Sequence, residues 1–255
     1  MRHYGQSKLI SILLVMLAIL LSVAGCSRSK PAEKADKPEE TSVYVDSFDF
    51  TGNSRKAAIA KKPKKIIVCG SNAADTLIAF GANDAIHTLI LTEPDTIAAY
   101  KKLLPQADIY PVSISQEAVL EIKPDFILGM RRFFDNKVLG DTPFWENNGI
   151  SAYIQDASGP IPSLGNFPRC TVESEKNFLR NMGKIFDNEP LAETEIRKID
   201  EELQRVPSCT SAKPRVLFIE FMPNNIEAFG KELLSGDIVE KLGGEIISYK
   251  APFIS

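Results

Sequence analysis

Histidine is almost absent from this 255-residue chain, which has only His3 and His87. A protein that holds zinc or manganese directly needs several imidazole or carboxylate ligands converging on one point, so direct metal binding is a poor reading of this sequence. His87, in or beside an apolar run, reads as a structural side chain. Cysteine is scarce as well. Cys26, Cys69, Cys170 and Cys209 show no Cys-x-x-Cys spacing. The last three read as buried or unpaired thiols, not as a zinc site or a disulfide framework, and a Cys170–Cys209 pair in an oxidising compartment stays open. There is no Gly-x-Ser-x-Gly, no Gly-x-x-x-x-Gly-Lys-Ser/Thr and no Gly-x-Gly-x-x-Gly behind a strand, so nothing points to an enzyme or a resident cofactor. No basic block occurs, and the formal net charge is −3. That argues against nucleic acid as a partner.

The first 25 residues are the opposite of scarce in apolar side chains. Arg2 and Lys8 precede Leu9–Leu21, an apolar run broken only by Ser11, and Val23-Ala24-Gly25 places small residues before Cys26. A basic start, a short apolar stretch and small residues at a cut describe a secretory signal peptide. The cysteine immediately after Ala-Gly resembles the lipobox of bacterial lipoproteins, which implies cleavage before Cys26 and lipid on its thiol. Leu9–Gly25 is at the short edge of the about 17–25 residues that span a bilayer, which favours a cleaved leader over a transmembrane anchor. Without residues 1–25 the chain has 28 basic and 33 acidic side chains, a net charge of −5. Residues 26–42 carry almost no apolar groups and read as a disordered tether behind the lipidated cysteine. The expected address is therefore extracytoplasmic and anchored to the cell membrane, facing either a periplasm or the exterior.

From about residue 63 strands and helices alternate. Lys65–Cys69 is a short apolar strand followed by the capping cluster Gly70-Ser71-Asn72, and Asp75–Phe80 continues as a helix that stops at Gly81. Ile86–Leu91 is a second strand. Ser115 is the predicted N-cap of a helix that runs to Lys123-Pro124-Asp125, and Phe126–Gly129 is a buried strand. Phe134–Asn148 suggests one helix ending at Gly149, and Ala152–Gln155 another strand. Strands alternating with helices predict a mostly parallel sheet covered on both faces. Val172, Phe178, Leu179, Met182, Ile185 and Phe186 then recur at helical spacing, and Pro190 opens a second helix whose apolar stripe is Ala192, Ile196, Ile199, Leu203 and Val206. Arg215–Phe221, Leu233–Leu242 and Glu245–Ser248 predict strand, helix and strand.

The two halves echo one another. Strand, helix, a glycine stop and a strand appear from Ile66 and again from Val216, and the second series reaches Ser255 where its own Ser-x-Glu helix would begin. An α/β lobe that small rarely covers both faces of its sheet. The expectation is a second lobe that is incomplete as written, short by about 60–80 residues by symmetry with the first.

Two stretches carry a family resemblance. Lys62–Val68 with Leu77–Ala82 and Ile86 looks like the opening of the cobalamin- and iron-siderophore-type solute-binding proteins of ABC transporters. Ser115-Gln-Glu-Ala-Val-Leu-Glu-Ile-Lys-Pro-Asp-Phe-Ile127 resembles that family's Ser-x-Glu-x-Ile/Val-Leu-x-Leu-Lys-Pro-Asp-Leu-Val/Ile. The similarity runs from residue 63 to about 250. It implies an α/β fold of two Rossmann-like lobes bridged by a long helix, the second lobe incomplete: a lobe over 43–189, the bridge over 190–207 and a partial lobe over 208–255. It also implies a monomer that takes an organic metal chelate (an iron-siderophore, haem or cobalamin type) between its lobes and passes it to a permease and its ATPase. In that family an exposed glutamate on each lobe docks on the permease, and Glu117 matches the first. A helix-start carboxylate stabilised by the helix dipole is the simpler account of Glu117, and the two are compatible.

Ligands of open α/β sheets bind beyond the carboxyl ends of the strands. This nominates Ser71 and Asn72, Glu93 and Pro94, Met130, Arg131 and Arg132, Ser158 and Gly159, and then Met222, Pro223 and Asn224. The planar donors of Arg131 and Arg132 suit carboxylate, catecholate or hydroxamate oxygens, and Phe133 and Phe134 beside them suit an organic framework. A solvated surface pair of arginines explains the same residues equally well. The other readings of the chain are a lipid-anchored α/β enzyme or a surface sensing or adhesion module on the same fold.

Overall fold

In a computed structural model, residues 42–92, 94–158, 168–206, 212–222 and 225–247 are described. The signal peptide, Cys26, nearly all of the tether, Glu93, Gly159, Cys209, Pro223 and Asn224 lie outside them, as do the side chains of Pro94 and Met222.

The sheet at the centre follows from short runs with no polar alternation. β3 (Ile66–Cys69) and β6 (Phe126–Gly129) are buried at every position, as strands of a parallel sheet covered on both faces must be. With β4 (Ile86–Ile90), β5 (Asp108–Tyr110) and β7 (Ser151–Ile154) they form a five-stranded parallel sheet ordered β5-β4-β3-β6-β7. Successive side chains face opposite ways. Ile66 and Val68 therefore join one core with Leu77, Leu89, Leu128, Phe178 and Met182. Ile67 and Cys69 join the other with Val119, Ile127, Phe134 and Trp145. The connecting helices are α1 (Ser71–Ala79), α2 (Pro94–Leu103), α3 (Gln116–Ile122) and α4 (Thr142–Asn147).

The Lys-Pro-Asp stretch before β6 has a structural reason. The Asp125 carboxylate accepts from the backbone N–H of Lys64 at 2.7 Å and of Lys65 at 3.0 Å, and its own N–H donates to the Lys65 carbonyl at 3.0 Å. Asp125 thus locks the entry of β6 beside the entry of β3. Lys123 turns the chain out of α3 in a left-handed conformation (φ 52°), and Ser115 caps the start of α3 by accepting from the Ala118 N–H at 3.2 Å.

Three segments depart from the sequence expectation. Residues ahead of the sheet form an antiparallel hairpin, β1 (Ser42–Phe48) with β2 (Ser54–Ala60), to which the sequence assigned no elements. The single helix expected over Phe134–Asn148 is instead a 3-10 turn (Arg131–Phe134) and the short α4. Gly140 at φ 93° breaks the run, and the Asp141 carboxylate takes the Thr142 N–H at 2.7 Å and the Phe50 N–H at 2.8 Å. The strand expected over Arg215–Phe221 is interrupted at Leu217. β8 (Arg215–Val216) pairs in parallel with β11 (Glu245–Ile246), while β9 (Phe218–Met222) turns back on β10 (Asn225–Phe229) as an antiparallel hairpin. Phe218, Phe221 and Ile226 of that hairpin are exposed.

Between these parts run α5 (Val172–Phe186) and α6 (Glu189–Arg205). α5 opens with a reciprocal cap between Thr171 and Ser174 and closes at Asp187 (φ 56°). Gly183 lets the helices meet, because a Cβ there would lie 2.8 Å from the Cβ of Ala192. Along α6 only Ala192 and Ile196 are buried, and Val206 is exposed, so its apolar stripe leaves the core before the helix ends. α7 (Leu234–Lys241) precedes β11.

Candidate functional site

The strand order reverses at β3, whose neighbours are β4 on one side and β6 on the other. Such a switch point opens a crevice at the carboxyl ends of the strands, where the connections diverge to opposite faces. Gly70, just past β3, has φ 103°, and its N–H donates to the Ile90 carbonyl at 2.9 Å. Across from it, a Cβ on Gly129 would sit 2.5 Å from the Cys69 Cβ. The two central strands can therefore end side by side only with glycine at the end of β6.

Residues that follow three strand ends share this edge. Ser71 and Asn72 begin α1; Ser71 is half-buried and Asn72 exposed. The Tyr100 hydroxyl reaches both the Ser71 carbonyl (3.3 Å) and the Asp75 carboxylate (2.6 Å), which fixes the start of α1 to α2. Thr92 follows β4. Arg132 follows β6; its guanidinium lies 5.1 Å from the centre of the Phe133 ring, and Nη2 is 3.3 Å from Thr92 Oγ1. Met130 is half-buried beside Gly70.

The adjacent arginines have different surroundings. Arg132 is exposed, whereas Arg131 has no exposed surface. Nε of Arg131 donates to the Phe50 carbonyl at 2.6 Å, and its guanidinium lies 5.5 Å from the centre of the Phe50 ring. Burial holds its pKa below the ordinary arginine value, against the opposing pull of the Asp49 and Asp141 carboxylates. Arg131 thus braces the β1–β2 turn against the lobe. Ser158 is half-buried beyond β7, its hydroxyl on the Gln155 carbonyl. Met222 ends β9, paired in register with Asn225.

Sequence reasoning missed Thr92, the partner of Arg132, because nothing links residues 40 positions apart before the sheet is assembled. It also missed Asp156. This carboxyl is 6% exposed and accepts from the Tyr153 hydroxyl, which in turn accepts from the Asn181 side chain at 2.7 Å. Burial pushes Asp156 up to about 7, with the Glu175 and Asp46 charges adding to the effect.

Glu117 stands apart from the switch point, exposed in the first turn of α3. Its own backbone N–H and the Ser115 side chain hold its carboxyl below the usual glutamate value. It lines an open groove of about 460 Å³ between residues 113–117 and 136–138. Among the described residues no three His, Cys, Asp or Glu side chains are grouped to hold a metal ion. His87 Nδ1 shares a hydrogen bond of 2.9 Å with Thr88. Burial raises the Cys69 thiol above its ordinary value, and no helix of the described residues is long and apolar enough to cross a membrane.

A doubly wound sheet with its crevice at the switch point, joined through a helical pair to a second α/β segment, is the architecture of a two-lobed binding protein. The chain belongs to the periplasmic binding protein family, whose sequence profile matches residues 66–252, beginning at the first residue of β3. Over 240 residues it is 24% identical to the Petrobactin-binding protein YclQ of Bacillus subtilis (strain 168), covering 92% of this chain and 69% of that protein. A periplasmic binding protein from Veillonella parvula DSM 2008 superposes with a TM-score of 0.68 at 24% identity, over 84% of this chain and 68% of that one. The periplasmic catecholate-siderophore binding protein VctP from Vibrio cholerae superposes with a TM-score of 0.59 at 19% identity, over 84% and 72%.

Proposed function

We propose that this protein is the extracytoplasmic receptor of an ABC importer, lipid-anchored through Cys26, that captures an organic iron chelate and delivers it to a permease. The observation that carries the reading is the strand-end edge at the switch point. Asn72 after β3, Thr92 after β4 and Arg132 after β6 share that edge, with Arg132 held over an aromatic ring. A guanidinium offers paired, permanently charged donors to carboxylate, catecholate or hydroxamate oxygens. Relatives named for petrobactin and for catecholate siderophores favour the same ligand class. Haem and cobalamins remain in the set to be tried.

In this reading Ser71, Asn72 and Arg132 line the chelate site, with Arg131 as the buried brace beneath Arg132 and Met222 approaching from the second lobe. Glu117 is the permease contact on the first lobe. No bond of the chelate is made or broken. Titration calorimetry with ferric petrobactin, a ferric catecholate, a ferric hydroxamate, haem and cobalamin is expected to give saturable one-to-one binding to one class, the chelate being recovered unchanged. Calorimetry suits the task because Trp145, the only tryptophan, is sealed in the core with its indole N–H on the Gly140 carbonyl at 3.2 Å. Failure of all five probes to saturate refutes the ligand class. For the anchor, Cys26→Ser is expected to release the protein from membranes and abolish its labelling by radioactive palmitate; retention of either refutes lipidation.

A further inference from the structure

The tip of the β1–β2 hairpin is built into the turn that carries Arg132. Residues 49–53 form a tightly bonded loop. The Asp49 carboxylate accepts from the Thr51 hydroxyl at 2.8 Å and from the backbone and side-chain N–H groups of Asn53 at 2.9 and 2.8 Å. Phe50, within this loop, is held by both of its backbone polar groups. Its N–H donates to the Asp141 carboxylate at 2.8 Å, and its carbonyl accepts from Arg131 Nε at 2.6 Å. The Phe50 ring faces the Arg131 guanidinium and belongs to the same buried cluster as Phe133, the ring over which Arg132 is held. Further along the hairpin, Arg55 donates to Thr142 and pairs with Glu146, so α4 is fastened to it as well.

Arg131, Arg132 and Phe133 share one 3-10 turn, closed by the Phe133 N–H on the Met130 carbonyl at 3.0 Å. Consecutive residues are joined by a planar peptide, so a displacement of Arg131 is passed to Arg132. The hairpin lies ahead of residue 66, where the match to the family profile begins. We propose that Phe50 and Arg131 are positioning residues for the chelate: the hairpin tip sets the orientation of the Arg132 guanidinium, and affinity depends on it. This rests on the reading of Arg132 as a chelate contact and names what holds it in place. A role in the core alone would cost stability. Positioning costs affinity, and that cost vanishes once Arg132 is removed.

A double-mutant cycle on the full chain tests this, with calorimetry against the five chelates named above for wild type, Phe50→Leu, Arg132→Ala and the pair. Phe50→Leu is expected to weaken binding about three- to tenfold when Arg132 is present and less than about twofold in the Arg132→Ala background. Asp141→Ala, which removes the acceptor of the Phe50 N–H, is expected to behave in the same way and serves if Phe50→Leu does not fold. Asp125→Ala, which loosens the opposite ends of β3 and β6, is expected to leave affinity within about twofold. An equal loss there would make the effect one of stability and overturn the proposal. Without any chelate, phenylglyoxal modification of Arg132, located by mass spectrometry, is expected to run about twofold or more faster in Phe50→Leu, because the guanidinium is no longer held over Phe133. Additive losses, or no loss from Phe50→Leu where Arg132→Ala does lose affinity, overturn the proposal and leave the chelate site standing. If Arg132→Ala binds like wild type, the reading of Arg132 falls and the proposal falls with it. If no chelate saturates, the ligand class is refuted while the phenylglyoxal rate still decides the positioning: a faster rate upholds it and an unchanged one overturns it.

Discussion

Asp156 should make the protein less stable as pH rises from acid to neutral. The carboxyl lies just beyond β7, almost wholly buried, accepting from Tyr153 and facing Glu175 on α5 and Asp46 on β1. Burial is the leading cause of its elevation from 3.8 to about 7, and Glu175 beside it is raised for the same reason. Well below its ordinary value of 3.8 the carboxyl is protonated in both the native and the unfolded chain, and no penalty arises. Between those two values the unfolded chain ionises freely while the native protein keeps its proton, so native stability falls. A displacement from 3.8 to about 7 corresponds to about 4 kcal/mol, fully lost once pH passes 7. Asp156→Asn keeps an oxygen for the Tyr153 hydroxyl and removes the ionisation. Urea unfolding followed by Trp145, which is buried and exposed only on unfolding, should find the two proteins within about 1 kcal/mol at pH 4.5 and the variant about 2–4 kcal/mol more stable at pH 8. The difference between the two profiles isolates Asp156 from Glu175. Parallel profiles, or an Asn variant that is the weaker protein at pH 8, would refute the reasoning.

Substitutions at four other positions test the site and its supports. Arg131→Ala should cost about 2–4 kcal/mol of stability, because it removes a buried brace and its bond to the Phe50 carbonyl. Arg132→Ala should change stability by less than about 0.5 kcal/mol and weaken chelate binding about tenfold; equal effects of the two in denaturation and calorimetry would deny their division of labour. Gly129→Ala places a Cβ 2.5 Å from the Cys69 Cβ and 3.0 Å from its carbonyl oxygen, a backbone contact that cannot swing away. It is expected to destabilise by about 1–3 kcal/mol or more, and a neutral result in urea unfolding would contradict the packing at the switch point. Asp125→Ala strips the acceptor from two backbone N–H groups at the start of β3 and should cost about 2–4 kcal/mol by the same measurement, with Asp125→Asn recovering part of it.

The central sheet was legible because β3 and β6 are uninterrupted apolar runs, and Ser115, Pro190 and the α5 stripe mark helices by local chemistry alone. The β1–β2 hairpin was not. Its inward positions include Ser47 and Ala57, so the alternation of a half-buried strand carries little hydrophobic contrast. β5 is a three-residue edge strand with Asp108 and Tyr110 facing out, which leaves almost no signal. The carboxyl-end rule pointed to Ser71, Asn72 and the arginine pair from sequence, yet it could not tell Arg131 from Arg132. Their separation depends on the 3-10 turn at Met130 and on Phe50, which arrives from a hairpin 81 residues earlier in the chain.

The helical pair between the two segments is tied at three points along α5, and the ties have different chemistry. At its start, Arg169 donates to the Lys231 carbonyl and to Glu240, both at 2.6 Å, while the Val172 N–H is capped by Asp237 at 2.9 Å. One turn into the helix, Lys176, largely buried, joins Glu173 of its own helix and Asp200 of α6. Near its end, Gly183 seats Ala192 of α6 against the helix backbone. Meanwhile Phe178, Met182 and Ile185 are built into the core of the first sheet. α5 is therefore fixed at once to the sheet that bears the switch point and, through Arg169 and Asp237, to α7. The bridge between the segments is not α6 alone. α6 is held to α5 at Ala192 and again at Asp200, beyond which only a fading apolar stripe remains. A rearrangement of the second segment against the first sheet would disturb the contacts that Arg169, Cys170 and Val172 make with residues 231–240. Those of Arg169 and Asp237 are charge-assisted, which makes the start of α5 one firm point of resistance to such movement.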